Sequence, residues 1–150
     1  MKPVVKKATP AAIAVLRQAT ALKPNRNKAS DGLLPSAAHL SQSPNSDHNT
    51  GLAVDLTHDK LGGIDCILLF SKLQEDPRVS YLIFQGKIWS REKGLREYTG
   101  SNKHNKHLHI SIKDRCGDDT SPWFPWLGKP KAVNKVKAAI KPLPKKKENQ

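Results

Sequence analysis

Aromatic residues make up only 5% of this 150-residue chain, and it has a single methionine, so its core must be chiefly aliphatic. Its two cysteines, Cys66 and Cys116, are too few for a disulfide framework, and no CxxC pair offers half of a structural zinc site. No apolar run approaches the roughly 18 residues of a membrane span. The apolar stretch from Ala11 to Leu16 follows Lys2, Lys6 and Lys7 but stops at Arg17. That is shorter than the roughly 7–15 residues of a signal-peptide core, and no small-residue cleavage site follows. The expectation is synthesis in the cytoplasm without a signal peptide, and release by another agent if the protein acts outside.

Acidic residues are missing from both ends. Residues 1–30 carry seven Lys or Arg and no acid, and residues 128–150 carry eight Lys against Glu148 alone. The stretch between them has a net charge of −1, although the whole chain is +13. A charge of +13 first suggests nucleic acid. A near-neutral middle, with no basic residues interleaved with aromatics, argues against a specific nucleic-acid partner. Basic arms of this kind adhere to polyanions, such as anionic polymers or a membrane surface. The expected organisation is a basic arm over 1–8, one domain over 9–127, and a Lys/Pro-rich disordered tail over 128–150.

Within the domain, Thr9-Pro10 is a helix start, with Thr as N-cap and Pro at the first helical position, and Lys23-Pro24 stops the helix. Residues 25–51 form a long loop rich in Ser, Asn, Asp, Gly and Pro, with a short helical turn at Ser36–Leu40. Leu52–Thr57 alternates as a strand. Gly62-Gly63 opens a second helix, with Ile64, Ile67, Leu68, Leu69, Phe70 and Leu73 on its apolar side, and Asp76-Pro77 ends it. Val79–Phe84 and Lys87–Trp89 form a hairpin about Gln85-Gly86. His107–Lys113 is a half-buried strand with both histidines on one face. Two helices beside a small antiparallel sheet make the fold class α+β.

The chemistry lies in Ser46-Asp47-His48-Asn49-Thr50-Gly51-Leu52-Ala53-Val54-Asp55 and in His107-Leu108-His109. His48 leaves a loop edge, Asp55 stands inside a strand, and the strand alternation sends His107 and His109 to one side. Two imidazoles and a carboxylate are a normal three-ligand catalytic zinc set, with the fourth position left for water. Gly51 allows a sharp turn between the first two ligands, where a side chain is expected to crowd the metal.

Ser46-x-His48-x-x-Gly51-x-Ala53-x-Asp55 resembles, at every fixed position, the SxHxxGxAxD signature of the VanY-type D-alanyl-D-alanine carboxypeptidases and the phage L-alanyl-D-glutamate peptidases. His107-x-His109 resembles the HxH of the wider zinc-peptidase group. Ser30-Asp31-Gly32 and Trp89-Ser90 also look like the small phage and bacterial members. The resemblance covers about residues 25–113. It implies a hedgehog/D-Ala-D-Ala-peptidase-like α+β fold and one zinc ion held by His48, Asp55 and His109. It further implies a monomeric metallopeptidase, an endolysin-like hydrolase that degrades the cell wall by cutting peptidoglycan stem peptides. One departure stands out. Many members carry Glu or Asp three residues before the last ligand as general base, whereas this chain has Lys106, so the base is expected to be His107, or alternatively His104.

Other residues have simpler expectations. Arg26, at the start of the long loop, is a candidate for holding substrate carboxylates. His58-Asp59 reads as loop and helix-capping chemistry, His39 as structural, and Asp47 as a hydrogen-bond partner of His48. Trp123-Phe124-Pro125-Trp126 closes the domain against the sheet, with stacking on wall sugars as the other reading. Cys66 is a small buried hydrophobe. Two alternatives stay open: a carboxypeptidase trimming terminal D-Ala, and a basic nucleic-acid-binding protein with a degenerate metal site.

Overall fold

Thr9 and Pro10 start the first helix as the sequence indicates. In the computed structural model, which describes residues 5, 7–35 and 45–128, α1 spans Pro10–Leu22. The Thr9 hydroxyl accepts the Ala12 N–H and donates to the Gly51 carbonyl at 2.7 Å. The helix cap therefore also ties down the loop that carries His48. Ala11, Ala12, Val15 and Ala19 give α1 a flat apolar stripe with almost no exposure, and small side chains let it lie close to its neighbours.

Among the described residues five strands follow: β1 (Ala53–Thr57), β2 (Val79–Phe84), β3 (Lys87–Ser90), β4 (Gly94–Glu97) and β5 (His107–Ile112). They form one antiparallel sheet in the order β1-β5-β2-β3-β4. The fold is therefore mixed α+β, as expected. Gln85 at φ 48° and Gly86 at φ 80° make the two-residue hairpin between β2 and β3, because successive positive φ values match the twist of the flanking strands. Strand β4 was not foreseen: Gly94-Leu95-Arg96-Glu97 is short, and three of its four residues are exposed. Its pairing to β3, not its own pattern, makes it a strand.

The second helix is shorter than the apolar pattern suggests. Residues 59–64 form a turn closed by the Asp59–Ile64 pair, and Asp59 accepts the Gly62 N–H. The helix α2 covers only Cys66–Lys72, capped by Asp65, and Leu73–Glu75 continues as a 3₁₀ turn. Its inner side is Cys66, Leu69 and Leu73, whereas Ile67 and Leu68 are exposed at 59% and 43%. A six-position apolar pattern cannot distinguish a buried stripe from apolar residues left outside.

One hydrophobic cluster joins both helices to one face of the sheet through Val54, Leu56, Leu82, Leu108 and Ile110. Each such side chain contributes about 1.5–3 kcal/mol on burial. Trp123 and Phe124 complete this cluster, as the domain-closing reading requires. The Trp123 indole donates to the Ala11 carbonyl. Arg78 lies 3.6 Å over the same ring, pairs with Asp76, and donates to the carbonyls of Asp119, Ser121 and Pro122. Cys66 is fully buried, and burial pushes its thiol up to about 12, so it is an inert hydrophobe.

The N-terminal boundary differs from expectation. Val5 donates its N–H to Asn49 and Ala8 is buried, so the last part of the 1–8 arm is built into the domain. The predicted turn at 36–40 with His39, and residues 129–150 of the tail, lie outside the described residues.

Candidate metal centre

The register of β1 against β5 sets Asp55 directly opposite His109 and Thr57 opposite His107. Directly opposed side chains on one face stand about 4.5–5.5 Å apart at Cβ. Strand pairing alone thus brings a carboxylate to an imidazole. His48 arrives from a 3₁₀ turn over Asp47–Thr50, started by Ser46, whose hydroxyl accepts the His48 N–H. Gly51 ends that turn at φ 75°. A Cβ there would stand 2.9 Å from the Lys7 carbonyl oxygen and 3.0 Å from the Ala8 Cα. The residue that a side chain would crowd is thus the N-terminal segment, which corrects the expectation of a clash with a metal.

His48 Nε2 stands 3.2 Å from Asp55 Oδ1, and His109 Nδ1 stands 3.3 Å from the same oxygen. The three potential ligand atoms lie within 4.8 Å of one another, so His48, Asp55 and His109 can hold a metal ion. The far nitrogens support that use. His48 Nδ1 is 2.7 Å from the Leu33 carbonyl. A carbonyl only accepts, so this nitrogen carries a proton and the neutral ring turns its Nε2 lone pair towards Asp55. His109 Nε2 contacts the Ser111 hydroxyl at 2.8 Å. Holding the outer nitrogen of a ligating histidine in this way fixes tautomer and ring angle.

A lone pair facing a carboxylate oxygen is unfavourable until a proton or a cation lies between them. The same pull acts on the pKa of His48. Burial pushes its pKa down, but the hydrogen bond and charge of Asp55 outweigh burial, helped by the Leu33 carbonyl and Asp47, and the ring is raised above 6.5. Burial pushes Asp55 up, yet the His109 and His48 contacts prevail and hold its carboxyl far below 3.8.

His107 sits on the same face, its Nε2 3.6 Å from Asp55 Oδ2. Burial is the largest influence and lowers its pKa; together with the His109 and His48 charges it outweighs the opposing pull of Asp55. The His104 ring stands edge-on to both His107 and His109, at 5.0 and 5.6 Å between centroids. Burial, followed by those two neighbours, lowers His104 to about 4. Lys106 is exposed, and its carbonyl accepts the His58 N–H.

Arg26, expected to hold substrate carboxylates, is instead engaged by internal partners. It is 4% exposed, forms a two-pronged pair with Asp31, and donates further to Thr20 and the Asn27 carbonyl. Asp31 in turn accepts the Thr57 N–H and hydroxyl, and Gly32 pairs with Asp55 through both backbone bonds. Ser30-Asp31-Gly32 therefore clamps the long loop onto the free edge of β1 beside Asp55. His58 and Asp59 serve local structure: His58 Nδ1 accepts the Cys66 N–H at the start of α2. Asp47 lies beside the Tyr81 hydroxyl and adds its charge to His48.

Two contributors escaped the sequence reading. The Tyr81 ring stacks on His109 at 5.4 Å, and burial pushes its hydroxyl up to about 12. Ser111 orients His109 from two positions along β5. The alternation that placed His107 and His109 together also places Ser111 with them, so that signal was present. Tyr81 needed the pairing of β2 to β5. Comparison of the chain with protein-family models, curated proteins and solved structures finds no match.

Proposed function

We propose that the protein is a zinc-dependent peptidase that cleaves stem peptides of bacterial peptidoglycan, an endolysin-like wall hydrolase. The observation that carries this reading is the convergence of His48 Nε2, Asp55 Oδ1 and His109 Nδ1, with the outer nitrogen of each ring held by the protein. Two imidazoles with one carboxylate suit zinc. Ligands about 2.0–2.1 Å from a tetrahedral ion stand about 3.3 Å apart, and the two contacts to Asp55 Oδ1 are 3.2 and 3.3 Å. A zinc ion held there would supply the Lewis acidity that activates water and polarises a peptide carbonyl.

His107 takes the proton. It is largely neutral at pH 7 because its pKa is lowered, and it faces the free Oδ2 of Asp55. A group in this role contributes about 10²–10⁴-fold. His104, lowered to about 4, is a weaker base at neutral pH, and its edge contact instead orients the His107 ring. The Lys-rich 129–150 segment enriches the enzyme on anionic walls. Deleting it removes eight Lys and Glu148 and lowers activity on intact walls at low salt, while cleavage of a small soluble peptide is unchanged.

The test is mass spectrometry of purified peptidoglycan digested with zinc-loaded protein. New amino termini within stem peptides support the endopeptidase, and release of free D-Ala alone makes it a carboxypeptidase. Tight, salt-dependent DNA binding with no peptide cleavage overturns the reading.

A further inference from the structure

The face that carries the metal centre continues across the sheet. Cross-strand partners run in one row from Asp55 to His109, Ile83, Ile88 and Arg96. A parallel row runs through Ser111, Tyr81, Ser90 and Gly94. Beyond Tyr81 these rows floor a groove of about 490 Å³, a size ordinary for ligand sites. Its rim is basic: Arg91, Lys93, Arg96 and Lys113 surround it, against Glu92 alone.

These cations differ from the buried arginines. Arg26 and Arg78 are fully committed to carboxylates and carbonyls. Arg91 is pinned by the Val79 and Asp76 carbonyls, which fixes its charge at the groove wall. Among the described residues Arg96 has only a 3.5 Å contact to the Ser90 hydroxyl. No hydrogen bond or ion pair engages the ammonium groups of Lys93 and Lys113 among the described residues. The groove thus combines unpaired cations with the Ser90 hydroxyl, and its inner wall is the Tyr81 ring, which stacks directly on a potential metal ligand.

We propose that this groove is the anionic subsite of the enzyme, seating a carboxylate of the substrate peptide while the bond to be cut lies at the metal centre. The assignment rests on the peptidase reading and sharpens its substrate class. Strands spaced about 4.8 Å apart put Arg96 about 14 Å from His109. An extended chain covers that in about four residues at roughly 3.3–3.6 Å each. The preferred substrate is an extended acidic peptide with its carboxylate three to four residues from the scissile bond. Arg96 receives it in the two-pronged manner of guanidinium on carboxylate, and Lys113 adds a point charge.

The test uses capped hexapeptides carrying one Glu, and their Gln twins, titrated calorimetrically into zinc-loaded protein at low salt. The Glu peptide binds about tenfold tighter, and the preference shrinks as salt rises. In the double variant Arg96→Gln/Lys113→Gln the preference disappears while zinc content is unchanged. The KM for cleavage of the Glu peptide rises with kcat retained. Equal binding of the twins overturns the subsite, as does a preference that survives the double variant. A DNA oligonucleotide that perturbs the groove where the Glu peptide does not also overturns it. A Glu preference without any cleavage leaves the subsite standing and removes the peptidase reading. Cleavage without preference does the reverse.

Discussion

The two faces of β5 share a backbone and differ in everything else. Leu108, Ile110 and Ile112 point into the helix-covered core, while His107, His109 and Ser111 point to the side that carries the metal centre, which is open at His107 and closed over His109 and Ser111. The core face is held by area: any well-fitting aliphatic residue would serve, and cost scales with the volume removed. The metal-centre face is held by partners. His48 depends on the Leu33 carbonyl, His109 on Ser111 and Tyr81, and Asp55 on its register opposite His109. Substitutions on the first face should cost stability and spare the chemistry, and those on the second should do the opposite.

The largest effect expected is loss of the metal. His48→Ala, Asp55→Ala and His109→Ala should each abolish stable zinc binding and wall lysis together, as metal analysis and lysis assays would register. Full zinc occupancy in any of the three would break the comparison at its centre. Ile110→Ala, on the opposite face of the same strand, should lose about 2–5 kcal/mol in denaturant unfolding. Its folded fraction should still take up one zinc per chain.

Arg26→Ala tests a third kind of position, charged yet interior. Removing it strands Asp31 and should cost about 3 kcal/mol, with KM for peptide cleavage unchanged. A raised KM at unaltered stability would return Arg26 to the substrate. His107→Ala should keep zinc and lose about a hundredfold or more in turnover, and His104→Ala should lose much less.

The smallest effect is a pH dependence at the loop clamp. Burial works to raise Asp31, but the hydrogen bonds from Arg26 and Thr57 prevail and hold its carboxyl below 3.8. Its contribution is therefore complete above about pH 4 and lost as pH falls through the lowered value. Acid unfolding of Asp31→Asn should show a shallower pH slope than the parent protein.

The contrast between faces also explains what was legible in the sequence. Strand alternation in His107–Ile112, the Thr9-Pro10 cap and the Gln85-Gly86 turn are local signals, and each corresponds to a structural element. Residue type and spacing singled out His48, Asp55 and the His107-Leu108-His109 segment, and the resemblance to the SxHxxGxAxD and HxH patterns narrowed these to His48, Asp55 and His109. What failed depended on distant neighbours. Arg26 looked free because nothing in its vicinity announces the pairing of Asp31 with both Arg26 and Thr57. The length of α2 was overread because Ile67 and Leu68 are apolar yet exposed. Strand β4 and the role of Tyr81 exist only through sheet pairing, which single-strand patterns do not encode.

X-ray absorption at the zinc edge, on protein titrated with zinc at neutral pH, tests the central claim most directly. The account predicts one zinc per chain bound by two imidazole nitrogens and a carboxylate oxygen at about 2.0–2.2 Å, with that signature lost in Asp55→Ala. Zinc bound with a different ligand set, or the same spectrum in Asp55→Ala, would contradict it.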